Sequence, residues 1–286
     1  MGQAVPDTRP DLTTARRDLT FDVEALDEHG QRSSVAIAGE HPLTLYVDKR
    51  ELVTLMTLGQ APEALALGFL RNQRLVAGID EIAAVHVDWE VDAVAVTTRA
   101  GAADFSARTA KRTVTTGCGQ GSMFGGLMEE IDAIRLPQHA RLSQRSLYAL
   151  LDAVRRRETV YKQAGAVHGC ALARCSDPGG ADDRVAASAE VLYYVEDVGR
   201  HNAVDAIAGH MWLDRVDGGD KVFYTTGRLT SEMVIKCAQM GVPFLVSRSG
   251  LTEMGYRIAR QVGLTMIGRA ANTRYLLFTG AERFDR

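Results

Sequence analysis

Nowhere in the chain do about 18 apolar residues follow one another, so no segment is suited to cross a bilayer as a helix. The first twenty residues also lack the apolar stretch of a secretory signal, because Asp7, Arg9, Asp11, Arg16 and Arg17 interrupt them. These two absences make the cytoplasm the expected compartment, with no membrane partner. Charge of one sign is missing too. A formal net charge of -3 over 286 residues offers no broad basic field to nucleic acid and no acidic tail to a charged scaffold. Cysteine is scarce, and its four copies, Cys118, Cys170, Cys175 and Cys237, are irregularly spread, which argues against a disulfide framework. Zinc is poorly served, since Cys170 and Cys175 are spaced C-x4-C with only His168 beside them and no second pair; no metal is expected.

What the chain does have is apolar content, 46%, enough for a substantial core in one large or two modest domains. The polar start, residues 1–19, has no sustained apolar period and reads as a flexible, solvated arm. From residue 20 to about 115 short extended segments dominate: Ser34 to Ala38, Leu43 to Val47, Ala83 to Val87 and Ala93 to Thr98. Their alternating or β-branched character predicts a small β-rich domain. Pro62 to Arg74 starts with a proline fit for a first helical position and repeats Leu65, Phe69 and Leu70 at helical spacing, a helix to cover that sheet.

Residues 116–286 alternate longer helical patterns with strands, as in an α/β domain. A long helix is expected after Leu142, with Ser143 as N-cap, an apolar face of Leu147, Leu150, Leu151 and Val154, and Gly165 as the left-handed stop. Arg155, Arg156 and Arg157 on it point in three directions and are expected to face solvent rather than share one ligand. Strands are expected next at Val167 to Leu172 and Val191 to Val195.

Three stretches carry the chemistry. In Thr115-Thr116-Gly117-Cys118-Gly119-Gln120-Gly121-Ser122, three glycines within five positions clear side chains from around one sulfur, which suits a thiol that large partners must reach; a glycine turn holding a small apolar residue is the bland alternative. Glu196-Asp197-Val198-Gly199-Arg200-His201-Asn202 groups titratable side chains at a strand end, where α/β sheets place their ligands. Arg200 can fork onto phosphate, His201 can titrate, and Asn202 can cap the helix after it; a helix start with a capping ion pair explains the same residues. Val222 to Glu232 repeats the pattern, with Gly227, Arg228, Thr230 and Ser231 forming an anion cradle at a helix start, though without the paired glycines and Lys-Ser/Thr of a P-loop. A further strand (Pro243 to Ser247), the loop with Ser249, and a helix (Glu253 to Val262) make a second such unit. Two units with Ser247, Ser249 and the arginines at their turns suit an elongated polyanion, a pyrophosphate better than a single ion.

These stretches, with Ala166-Val167-His168, Glu232-Met233-Val234 and Lys236, resemble the formate dehydrogenase accessory sulfurtransferase family, FdhD, from about Phe21 onward. The resemblance implies a cytidine-deaminase-like core of mixed sheet flanked by helices and a homodimer. It also implies a sulfur carrier, loaded by a cysteine desulfurase, that passes a persulfide to the bis-molybdopterin guanine dinucleotide of formate dehydrogenase. GDP would then be a surrogate ligand. Carried over by position, Cys118 is the persulfide cysteine, and Arg269, Ala270, Ala271, Asn272, Thr273 and Arg274 form the cofactor-binding stretch. Two departures stand out. The family's loop commonly reads Cys-x-x-Cys, whereas glycine occupies position 121 here, and the usual aromatic and arginine of the C-terminal stretch are Arg269 and Ala271. One thiolate suffices to accept and release sulfane sulfur, whereas a dithiol redox cycle needs two. Lys111 or Arg112 are candidates for lowering the Cys118 pKa. Rival readings are a cofactor-binding chaperone without persulfide chemistry and a redox sensor. A zinc deaminase lacks its His-x-Glu and Pro-Cys-x-x-Cys.

Overall fold

The computed structural model describes residues 9–101, 113–114, 121–122, 131–177 and 187–286. In the first part the elements are β1 (Asp11–Leu12), β2 (Thr20–Leu26), β3 (Arg32–Ala38), β4 (His41–Val47), β5 (Arg50–Thr57), α1 (Pro62–Asn72), β6 (Ile82–Asp88) and β7 (Ala93–Thr98). Five of these strands form a sheet of order β1-β6-β7-β4-β5, and β2 pairs with β3 as a separate ribbon. Alternation drives the sheet: Leu43, Leu45 and Val47 on β4 point inward while Pro42, Thr44 and Tyr46 are only half-buried.

Residues 9–19 are not a free arm. Pro10 is buried and Asp11–Leu12 runs parallel to Ala84–Val85 of β6. Glu63 anchors the next few residues, its carboxylate accepting from the Thr13 hydroxyl at 2.7 Å and the Ala15 amide at 2.6 Å. The expectation of a solvated arm fails for residues 9–19 because backbone pairing and one buried carboxylate replace the missing apolar period.

Two short strands, β8 (Thr113–Val114) and β9 (Gly121–Ser122), pair antiparallel, Thr113 opposite Ser122 and Val114 opposite Gly121. Cys118 itself, with Gly117, Gly119 and Gln120, lies outside the described residues, as do Lys111, Arg112 and the expected boundary at 115/116.

The remainder runs β10 (Leu142–Ser143), α2 (Gln144–Arg157), α3 (Val160–Ala164), β11 (His168–Ser176), β12 (Ser188–Asp197), α4 (Arg200–Leu213), β13 (Lys221–Thr225), α5 (Ser231–Gln239), β14 (Phe244–Ser247), α6 (Glu253–Val262), β15 (Thr265–Ala271), β16 (Arg274–Thr279) and β17 (Phe284–Asp285). The six-stranded sheet has the order β12-β11-β13-β14-β15-β16, with β13, β14 and β15 mutually parallel and the flanking pairs antiparallel. Period-two alternation divides its side chains. Phe223 and Leu245 join one core with α1, α4, α5 and the small sheet, while Tyr224, Phe244 and Val246 join another with Leu147, Leu150, Leu151 and Val154 of α2.

Helices α1 and α4 link the two sheets through the first core. Their backbones touch at Gly68 and Gly209: a methyl group on Gly68 would strike the Asp205 carbonyl, and one on Gly209 the Ala64 carbonyl. The small residues therefore set the approach of the helices. The helix expected after Leu142 starts as predicted, with the Ser143 hydroxyl accepting from the Ser146 amide at 3.1 Å, but it breaks at Glu158–Thr159 before α3 resumes and stops at Gly165, φ 61°. The break has a distant cause. Buried Glu196 accepts from the amides of Thr159, Val160 and Tyr161 and from the Thr159 hydroxyl, so its carboxylate supplies a new helix start.

Candidate functional site

The registers bring the motif residues to one end of the six-stranded sheet. His168 opens β11 opposite Asp197, the last residue of β12, and the C-terminal ends of β13, β14 and β15 finish at the same side. There the chain turns through Thr226-Gly227-Arg228, Arg248-Ser249-Gly250 and Asn272-Thr273. Ends of parallel strands gather loops without side-chain packing to fill the space, which is why ligand sites form there.

A cavity of about 390 Å³ opens on the α2 side of this end. Ala270, Ala271, Asn272 and Thr273 line it, joined by Tyr148, Asp152 and Arg155 from α2, Tyr224 from β13, Glu158 and Arg248. Arg248 is held by Glu158 at 3.2 Å and its guanidinium lies 5.0 Å from the Tyr161 ring centre. Arg155 and Arg156 both pair with Asp152, and Arg155 alone of the arginine run borders the cavity. Arg269 and Arg274 are exposed and do not line it.

On the α4 side lies a cationic corner. Arg228 is exposed; Arg200 is 5% exposed, and its aliphatic stem fills the space that a side chain at position 227 would take, with the Arg200 Cδ 2.7 Å from where such a Cβ would sit. His168 is half-buried, its Nδ1 3.4 Å from the hydroxyl of Thr226 in the same turn as Gly227 and Arg228. Burial, with Arg200, Arg228 and Arg248 adding to it, holds the His168 pKa below the ordinary histidine range. Ser247 is fully buried; its hydroxyl donates to the Gly227 carbonyl at 2.6 Å and accepts from the Ser249 amide at 2.8 Å, so it braces two of the turns. Thr230 takes the N-cap position of α5 without a side-chain cap bond, and Ser231 beside it is half-buried.

Beneath this corner the rest of the polar motif is committed to the scaffold. Asp197 accepts from the Thr57 hydroxyl at 2.5 Å, the Leu58 amide, the Gly199 amide and the Asn202 side chain, and its pKa is still raised by burial to about 6. Asn202 does not cap α4: it sits in the first turn and donates to the Met56 carbonyl and to Asp197, tying β5 to the motif. His201 is pushed down to about 2, by burial first and then by Lys236 and Arg200, so its contact to Glu232 at 3.3 Å involves a neutral imidazole. Lys236, wholly buried, meets Asp205 at 2.8 Å and Glu232 at 3.6 Å; burial opposes its charge, yet the two carboxylates hold its pKa above the usual lysine value. Asn72 of α1 donates to Asp205 at 2.7 Å, closing the network.

The other cysteines are poor nucleophiles. Burial raises Cys170 and Cys175 to about 12 and pushes Cys237 higher still. Among the described residues no cluster of His, Cys, Asp and Glu has the makings of a metal site, and no helix is long and apolar enough to cross a membrane. Sequence reasoning missed Arg248, Tyr148, Tyr224 and Glu158. Arg248 carried a readable signal, since it comes after a strand between two serines just as Arg228 comes after Thr226-Gly227.

Comparison with known proteins places this geometry in a family. The chain is 30% identical over 256 residues to the sulfur carrier protein FdhD of Listeria innocua, covering 88% of this chain and 93% of that one. It is 28% identical over 258 residues to the FdhD sulfur carrier of Bacillus subtilis, covering 90% and 94%. A crystal structure of a candidate formate dehydrogenase accessory protein from Desulfotalea psychrophila shares the fold, with a TM-score of 0.70 and 24% identity over 93% of this chain and 98% of that one. The family model FdhD/NarQ matches residues 38–285, and the chain belongs to the FdhD/NarQ family.

Proposed function

We propose that this protein is a sulfur carrier for formate dehydrogenase maturation. Cys118 takes sulfur from a cysteine desulfurase and delivers it to a bis-molybdopterin guanine dinucleotide held at the sheet end. In the loading step the Cys118 thiolate attacks the outer sulfur of the donor's persulfide, a new S–S bond forms at Cys118, and the donor leaves as a thiolate. The three remaining cysteines are ill-suited to this step because burial keeps their thiols protonated.

The observation that carries the reading is the convergence at one sheet end of the Ala270–Thr273 cavity with Arg200, Arg228 and Arg248. The cargo is an elongated polyanion with two guanine nucleotide arms, and a cavity and a cationic corner at the same sheet end suit such a ligand better than a single-ion site. Gly227 and Ser247 shape the corner, Thr230 and Ser231 border it at the start of α5, Ser249 lies just beyond β14, and Arg269 and Arg274 flank the cavity turn from outside. The strand order, with a parallel centre and antiparallel flanks, supports likening residues 116–286 to a cytidine-deaminase core, with residues 20–115 as the smaller β-rich domain. We place the protein in the cytoplasm as a homodimer that meets the desulfurase and formate dehydrogenase in turn.

Incubation with a desulfurase and cysteine tests the reading by intact mass: wild type gains one sulfur and Cys118→Ala gains none. The same gain in the Ala variant overturns it. Binding of GDP by a wild type that never gains sulfur would favour a chaperone that carries the cofactor without covalent chemistry, a reading that glycine at position 121 keeps open.

A further inference from the structure

We propose that His168 is the proton-linked member of the anion site: it takes up a proton when a nucleoside diphosphate docks at this sheet end, so that ligand affinity depends on pH. The inference rests on the proposed function, in which the cationic corner receives the phosphates of a guanine nucleotide, and it assigns His168 a role within that corner.

The geometry carries it. His168 opens β11 beside the Thr226-Gly227-Arg228 turn, half-buried, with its Nδ1 3.4 Å from the Thr226 hydroxyl. The charged and titratable groups facing it are Arg200 and His201 from α4, Arg228 from the turn after β13, Arg248 from the turn after β14, and Asp197 opposite on β12. Of these, His201 is held neutral by burial, Asp197 accepts from four protein donors, and the three guanidinium groups add to burial in lowering the affinity of the imidazole for a proton. Glu158 pairs with Arg248 at 3.2 Å. Thr226 accepts from the Gly169 amide at 3.1 Å, which fixes its hydroxyl beside the His168 ring.

In the empty site a fourth cation is disfavoured by burial and by like charge, and His168 stays neutral at pH 7. A diphosphate brings at least two negative charges to the same corner. Its field opposes that of the arginines and favours the imidazolium, which can then donate to a phosphate oxygen. Because the two equilibria share one free energy, a ligand that raises the affinity for a proton must itself bind more tightly where the proton is available. For a single linked proton the dissociation constant changes by at most about tenfold per pH unit.

Calorimetric titration of the full chain with GDP, in two buffers of contrasting ionisation heat between pH 6 and pH 8, reads both quantities. Wild type is expected to take up a proton on binding and to weaken several-fold toward pH 8. His168→Gln, which keeps a neutral polar side chain, is expected to bind with its remaining pH dependence due to the phosphate alone. Heteronuclear imidazole spectra of wild type with and without GDP make the test independent of the variant's folding, because the His168 ring nitrogens report protonation directly. Equal proton uptake by wild type and variant, or a His168 ring that stays neutral in the complex, overturns the inference and leaves the site reading intact. Absence of GDP binding by wild type across this range overturns both.

Discussion

Two polar clusters occupy the same end of the six-stranded sheet, and they differ in burial. The inner one, Asp197, Asn202, Asp205, Glu232 and Lys236 with Asn72, is almost wholly enclosed and bound into protein hydrogen bonds and ion pairs, with Asn72 Oδ1 and Glu232 Oε1 left without a hydrogen-bond partner. The outer one, Arg228, Arg248, His168 and the Asn272–Thr273 turn, meets solvent. Both look alike as strings of charged residues after a strand. The contrast teaches that a motif can be half foundation and half site: the inner cluster joins α1, α4 and α5 so that the outer arginines project over one corner. Burial also decides how each cluster responds to change, since unpairing an enclosed charge costs far more than deleting an exposed one.

The comparison breaks most visibly at Lys236. Lys236→Met leaves Asp205 and Glu232 enclosed without their cation, and destabilisation of about 3–5 kcal/mol is expected from urea unfolding. A loss below about 1 kcal/mol would mean that the inner network is not a foundation for the corner.

Asp197 gives the next largest effect, and it depends on pH. Its folded pKa is raised to about 6, so the folded state favours the protonated acid; the resulting stability is present below about pH 4 and lost as pH rises through 6. Relative to Asp197→Asn, wild type should lose about 3 kcal/mol between pH 4 and pH 7, a difference that paired unfolding curves measure. An opposite slope would show that the four hydrogen bonds outweigh burial and hold the group as a carboxylate.

How much of the fold and site is legible in the sequence obeys the same division. Local rules locate what local residues decide. The strand at Ala93–Thr98, the proline-started helix at Pro62, the Ser143 cap and the Gly165 stop are all as expected. Elements decided by distant partners escape those rules. The break between α2 and α3 comes from Glu196, nearly 40 residues on, and the docking of residues 9–19 depends on Glu63. Local rules assign Asn202 the task of a cap, whereas it reaches Met56, 146 positions away. The strand-end rule finds the right end of the right sheet, but it does not separate Ser247, which braces the turns, from Arg248, which lines the cavity.

Gly227 is the point where the two clusters touch, and substituting it sharpens the boundary. A Cβ there would stand 2.7 Å from the Arg200 Cδ, so Gly227→Ala forces the arginine stem to move. Because φ at position 227 is not in the left-handed region, backbone strain is not the cause of the effect. About tenfold weaker GDP binding is expected, equivalent to about 1.4 kcal/mol, with a smaller change in thermal midpoint than Lys236→Met produces. Unchanged affinity would place Arg200 with the inner cluster alone.

The smallest effect separates two neighbours on one helix. Arg155 and Arg156 are both exposed and both pair with Asp152, so removing either should leave the thermal midpoint nearly unchanged. Only Arg155 borders the cavity. Helical geometry turns successive side chains about 100° apart, which sends Arg156 away from whatever Arg155 faces. Arg155→Ala is therefore expected to weaken GDP binding by about threefold, the loss of one screened charge near a phosphate, while Arg156→Ala leaves it alone. Equal losses from both variants would attribute the effect to the general field of the helix, and the cavity beside Ala270–Thr273 would then have no claim on the nucleotide.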